Sequence, residues 1–256
     1  MAVELFNNGK HTCLAFYDLV DEEHDHAVQC NQFMIADSGH GALIDPGGNL
    51  TYNALLMAMQ RYFPSKELVW LLASHPDPDI IASVNKWFVA SPCKVLISKL
   101  WTRFVPHFTT GRDIQGRIGG IPDEGMDIPL GASKIKAIPA HFMHAEGNFQ
   151  FYDPISKILF SGDLGVSLVD HDVAADPVMD FDAHVPLMEP FHRRYMVSNK
   201  ILRFWAHMAR QMDIEMIVPQ HGQRFVGKAM CARFIDWIEK VPCGIDLMTQ
   251  DNYRVP

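Results

Sequence analysis

Residues 68–79 read LVWLLASHPDPD, and this stretch decides how the chain folds. Leu68, Val69, Trp70, Leu71, Leu72 and Ala73 make a short, continuous apolar run, as expected of a strand buried on both faces. The run ends at Ser74-His75-Pro76-Asp77-Pro78-Asp79. If that segment is extended, alternation sets His75, Asp77 and Asp79 on one side, as metal ligands would need. The two prolines favour extended backbone and oppose a helix starting inside it. The same residues read equally well as an Asp-Pro turn leading into a helix with Asp79 as its N-cap.

Outward from this stretch, strands are predicted over 12–19, 28–36, 42–45 and 94–98, and helices over 50–63 and 80–88. Pro46-Gly47-Gly48-Asn49 is a turn. The Gly- and Pro-rich section 101–131 permits no assignment. Strands resume at 134–138, 149–152, 158–160 and 216–218, with helices over 198–211 and 225–240. Strands early in each half with helices interleaved imply an α/β fold of two packed sheets with helices outside. A single domain over residues 1–256 is expected, since no linker or repeat divides the chain.

Composition narrows the function. With 48% apolar and 20% charged residues the chain is an ordinary globular protein, and no apolar run approaches the roughly 18 residues of a membrane span. A net charge of −8 argues against a nucleic-acid partner, because phosphate binding needs a dense basic patch. The N-terminal residues lack the pattern of a secretory signal, and the five scattered cysteines form no C-x-x-C pair, so a reducing, cytoplasmic location is expected. Thirteen histidines invite a search for metal ligands.

Three further segments supply such residues at strand ends. They are Pro139-Ala140-His141-Phe142-Met143-His144, Phe160-Ser161-Gly162-Asp163 and Val218-Pro219-Gln220-His221-Gly222. Any one histidine or aspartate among them would more often be structural; their joint occurrence in this order changes the odds.

This order, H-x-[DE]-x-D, then His, then Gly-Asp, then Pro-x-His-Gly, resembles the metal signature of the metallo-β-lactamase superfamily. The spacings of 65, 19 and 58 residues from Asp79 to His144, Asp163 and His221 are similar to those of the diiron domain of flavodiiron proteins. The Leu43-Ile44-Asp45-Pro46-Gly47 turn also looks like that superfamily. The resemblance implies an αββα sandwich, with His75, Asp77 and His144 on one metal, Asp79 and His221 on the other, and Asp163 bridging both. It favours His144 over His141, because Gly147-Asn148-Phe149 and Tyr152 match the stretch after the family's ligand. His141 is then a supporting or structural residue.

Three carboxylates among six ligands suit iron better than zinc, so two iron ions are expected. Two departures stand out. Asp77 replaces the family's usual glutamate, and Ile80 stands where many relatives carry another histidine. Isoleucine cannot coordinate, so an open position with apolar walls is expected beside the second iron, or else Ile80 is simply a core residue at a helix start. Tyr195 matches the family's active-site tyrosine segment. His24 and His26, in an acidic loop, either hang over the site or lie in solvent.

No FMN-binding loop or flavodoxin-like domain is found before the chain stops at Pro256. The resemblance to stand-alone diiron proteins therefore implies an oxygen sensor that takes up O2 as a ferric peroxo species and signals to a chemoreceptor, with a homodimer expected. The alternatives are an O2 or NO reductase fed by a separate flavoprotein or rubredoxin, and a dinuclear zinc hydrolase.

Overall fold

The computed structural model describes residues 1–20, 27–111, 114–170 and 173–256. The sequence-derived expectation for His24 and His26 lies outside the described residues. No helix among them is long and apolar enough to cross a membrane.

Two mixed sheets form the centre. The first holds β1 (Ala2–Asn7), β2 (His11–Phe16), β3 (Gln32–Asp37), β4 (His40–Ile44), β5 (Leu68–Leu72), β6 (Lys94–Ser98) and β7 (Ile118–Ile121), side by side in chain order. Its first four strands are antiparallel and β4 to β7 are parallel. The second holds β8 (Met126–Leu130), β9 (Ser133–Pro139), β10 (Phe149–Asp153), β11 (Ile158–Phe160), β12 (Met216–Val218) and β13 (Phe225–Val226), again in chain order. Only β11 and β12 are parallel there.

Period-two alternation sends each strand's apolar residues into two separate cores. In β2, Cys13 and Ala15 face the other sheet, whereas Leu14 and Phe16 face helices. The inter-sheet core adds Phe33, Ile44, Phe149, Phe151 and Phe160. Outside the first sheet pack α1 (Tyr52–Met59), α2 (Pro78–Ile81) and α3 (Val84–Ala90). Outside the second pack α4 (Phe181–Tyr195), α5 (Asn199–Ala209) and α6 (Lys228–Ile238). The result is the expected α/β sandwich, helices–sheet–sheet–helices.

Several elements depart from the sequence reading. The helix expected over 80–88 is two short helices, and the first begins at Pro78, inside the segment read as extended. Proline is well suited to this first helical position, where its missing N–H would have had no partner anyway. Asp77, not Asp79, takes the cap position, and its side chain makes no capping bond. Helix α4 has no counterpart in the expectations, because Pro186 and Pro190 interrupt its helical pattern. Strands β1, β7 and β8 have none either; all three are sheet edges, and β8 tolerates Pro129 for that reason.

Candidate metal centre

Four chain segments converge at one end of the sandwich. His75 follows β5, with Asp77 and Asp79 at the start of α2. His144 lies in the β9–β10 connection, Asp163 just after β11, and His221 just after β12. Turns with glycine hold the segments close. Gly48 approaches α2 so nearly that a Cβ there would lie 3.1 Å from the Pro78 carbonyl. Gly222 has φ +81°, and a Cβ would sit 2.0 Å from the Ser167 hydroxyl, so only glycine fits beside His221.

The six side chains separate into two groups that share Asp163. On one side His144 Nε2 lies 3.2 Å from Asp77 Oδ2 and 3.4 Å from Asp163 Oδ2, and His75 Nε2 lies 3.6 and 3.8 Å from the same two oxygens. On the other, His221 Nε2 is 3.3 Å from Asp79 Oδ2 and 3.8 Å from Asp163 Oδ1. Each oxygen of Asp163 therefore faces its own group. Oδ1 is buried and accepts no hydrogen bond among the described residues, which costs free energy unless a cation faces it. Ligands about 2 Å from a common ion stand roughly 3 to 3.5 Å apart, the spacing of the shorter contacts here.

The outer nitrogens are already engaged. His221 Nδ1 donates to the Gln29 carbonyl at 2.6 Å, and His75 Nδ1 meets the Ser74 hydroxyl at 3.0 Å. Such bonds fix the ring and leave Nε2 facing the site. Ser74 is itself fixed by its backbone N–H, which donates to Asp45 Oδ1 at 2.8 Å. Burial pushes the Asp45 carboxyl up to about 6. Gln220 Nε2 donates to Asp79 Oδ2 at 3.4 Å.

The electrostatics call for positive charge. Burial opposes protonation of His75, but the charge of Asp163 and the hydrogen bond and charge of Asp77 outweigh it and raise its pKa to about 9. His221 is raised in the same way by Asp79 and Asp163, against the effect of burial. Hydrogen bonds from His144 and His75 hold the Asp77 carboxyl well below the usual range. Protons on the imidazoles thus do what divalent cations would do better, and the donor set of three imidazoles and three carboxylates fits two such ions.

A cavity of about 820 Å³ opens over the group, lined by Asp77, Asp79, His144, Asp163 and His221 together with apolar Val28, Val166, Leu168 and Phe191. Tyr195 is in its wall, its ring edge-on to His144 at 5.7 Å and stacked on Phe191 at 4.6 Å. His141 is not among the residues lining the cavity and pairs with the Asp123 carbonyl at 2.8 Å. Of the two readings of Ile80, the structure fits the core residue at a helix start: it is fully buried in the helix-side core and is not among the residues lining the cavity. The helical start at Pro78 explains this, since one step along a helix turns Ile80 about 100° away from Asp79. Arg194, from the same stretch as Tyr195, also lines the cavity, as do Phe191 and Cys30, which no sequence motif marked. Phe191 became visible only with α4.

A model of the ODP family of beta lactamases matches residues 28–222. Two solved structures of the chemotaxis sensor ODP are similar over almost the whole of both chains. Its peroxy diiron species is 36% identical, with 98% of this chain and 99% of that one covered and a TM-score of 0.86. Its apo state, from T. denticola, is 35% identical, with 99% of each chain covered and a TM-score of 0.84. The rubredoxin oxygen:oxidoreductase of Desulfovibrio gigas shares the fold at 14% identity, covering 94% of this chain and 61% of that one, with a TM-score of 0.77. An uncharacterized protein of Methanocaldococcus jannaschii is 23% identical over 198 residues, 75% of this chain. The match spans about half, 48%, of that curated relative's length.

Proposed function

The chain belongs to the ODP family of beta lactamases, and we propose from that premise that it is a non-haem diiron protein that binds dioxygen as a sensor in chemotaxis signalling. The observation that carries this reading is the divided Asp163 carboxylate, one oxygen toward each His–Asp group. In this reading His75, Asp77 and His144 hold one iron, Asp79 and His221 the other, and Asp163 spans both. A pair of irons there supplies two-electron redox chemistry toward dioxygen, which zinc does not.

The chain's own residues do the rest. Gln29 and Ser74 orient His221 and His75 so that each presents Nε2. Val28, Val166, Leu168 and Phe191 give the approach an apolar lining that admits a small apolar gas and disfavours water. The Tyr195 phenol, in the same wall and edge-on to His144, is a hydroxyl able to donate toward the cavity. A sensor needs its oxidised state to persist, and the apolar lining keeps protons scarce around it.

Elemental analysis of protein purified without added metal, followed by anaerobic reduction and admission of air, tests the reading. Two irons per chain and a visible absorption band that persists after air is admitted are expected. Zinc in place of iron, with esterase activity, would overturn it. Rapid steady consumption of O2 with a flavoprotein donor would replace the sensor by a reductase.

A further inference from the structure

A second cluster of ligand-type side chains lies at the far end of the same sandwich. Strands β3 and β10 both start beside the metal centre and run away from it to Asp37 and Asp153. There His11 and Cys13 of β2 meet Asp153 of the opposite sheet. All three are buried, with His11 and Asp153 essentially inaccessible to solvent. His11 Nε2 lies 2.8 Å from Asp153 Oδ2, Cys13 Sγ lies 3.4 Å from the same oxygen, and Sγ and Nε2 are 3.7 Å apart. A point about 2 Å from all three atoms exists without moving any of them, close to ordinary Zn–N, Zn–O and Zn–S lengths.

We propose that His11, Cys13 and Asp153 form a second metal site, a structural one for a zinc-class divalent ion, separate from the candidate diiron centre.

Two observations support it independently. First, Asp153 Oδ2 is overcrowded. Besides His11 and Cys13 it receives the Ser156 backbone N–H at 3.0 Å and the Ser156 hydroxyl, four groups on an oxygen with two lone pairs. A cation between the donors relieves the crowding, because His11 and Cys13 then face the ion and the oxygen keeps only the ion and the two Ser156 donors. Second, the other nitrogen of His11, Nδ1, lies 3.0 Å from Asp37 Oδ1. A carboxylate behind the histidine is the arrangement that orients metal-bound imidazoles. Asp37 is fixed in turn by the Ala132 N–H at 2.6 Å.

The donor set selects the ion. Thiolate and imidazole together exclude magnesium and calcium and favour zinc, with cobalt as its spectroscopic substitute. On binding, the Cys13 thiol proton and the His11 Nε2 proton leave to solvent, two protons for each divalent ion. The ion would tie the first sheet to the second at the end opposite the iron pair.

The full chain with Asp163→Ala, which disables the candidate iron pair, is produced in medium containing zinc or cobalt. One equivalent of zinc per chain is expected, and with cobalt a near-ultraviolet thiolate-to-cobalt band. Both should survive a further Cys30→Ala change and vanish with Cys13→Ala. Should the Cys13 variant not fold, zinc released by unfolding the single Asp163→Ala variant decides the matter, with one equivalent expected. An absence of zinc on unfolding, together with no cobalt band, overturns the proposal and leaves a hydrogen-bonded Asp–His–Asp clamp.

Discussion

At the residue scale, Asp163 and His141 make opposite predictions from similar sequence surroundings. Asp163 is shared by both His–Asp groups, so Asp163→Ala should lose both metals of the pair, measured as metal per chain. His141 is bonded to the Asp123 carbonyl outside the group, so His141→Ala should keep both. All six ligand candidates were legible in the sequence, because a metal site needs rare residue types at turns whose order survives reading. The placement of Ile80 was not, since it depended on whether Pro78 begins a helix, which the dipeptide Asp77-Pro78 leaves open. His75 carries a pH prediction for the metal-free chain. Its folded pKa of about 9 lies above its ordinary 6.5, so its stabilising protonation is complete below 6.5 and is lost as pH rises through 9. His221 is shifted in the same direction. Urea midpoints of chelator-treated protein should therefore fall between pH 6.5 and 9. Iron binding should grow tighter over the same window, because His75 must shed its proton to ligate. A midpoint that rises with pH would contradict the assignment of His75 to a carboxylate-rich site.

At the scale of elements, α4 is where sequence reading failed and where the structure adds most. Its prolines remove the backbone donors that would have reached the Asp182 and Pro186 carbonyls, and the helix is also bonded from outside. The Leu187 carbonyl is reached by the Leu168 N–H at 3.1 Å, from the loop after Asp163. Phe181, His184, Met188 and His192 nonetheless repeat at helical spacing on the buried face, and Asp180 caps the start through Asp182 N and Ala183 N. His192 joins this helix to the Asp163 turn. Its Nδ1 donates to the Met188 carbonyl at 2.8 Å, and its Nε2 accepts the Gly165 N–H at 3.0 Å. That bonding requires the neutral ring, and burial lowers its pKa to about 4. The sign is opposite to that of His75. The unfolded chain takes up this proton first, so stability is full above pH 6.5 and declines toward pH 4, by up to about 3 kcal/mol. His192→Ala should remove this acid-sensitive component while lowering stability at neutral pH by about 2–4 kcal/mol, through the stranded Gly165 N–H and the cavity left behind. Denaturant midpoints of both proteins at pH 7 and pH 5 give the comparison. If the variant stays as acid-sensitive as the parent, the proton is taken up elsewhere.

At the scale of the molecule, both halves of the chain contribute to the inter-sheet core, which makes a single domain the natural proposal. The two-sheet arrangement was legible because continuous apolar strands such as 68–73 must be covered on both sides. The number of strands was not, because edge strands such as β7 and β8 bury one side only and carry glycine or proline. The inter-sheet contact is direct. Phe33 of β3 and Phe160 of β11 place their ring centres 5.1 Å apart, within a cluster that draws residues from β2 through β12. Neither sheet can keep its inner face dry without the other, so loss of one exposes the other. Fluorescence of the tryptophans, which flank both helix layers at Trp87 and Trp205, should therefore unfold together with far-ultraviolet circular dichroism in one transition. Phe160→Ala, which empties the middle of that interface, should lower stability by about 3–5 kcal/mol and shift both probes equally. Two separated transitions, or a Phe160→Ala effect confined to one probe, would mean that the halves fold independently. The candidate ligands, which follow β5, β11 and β12 or lie between β9 and β10, would then have no common frame to hold them at contact distance.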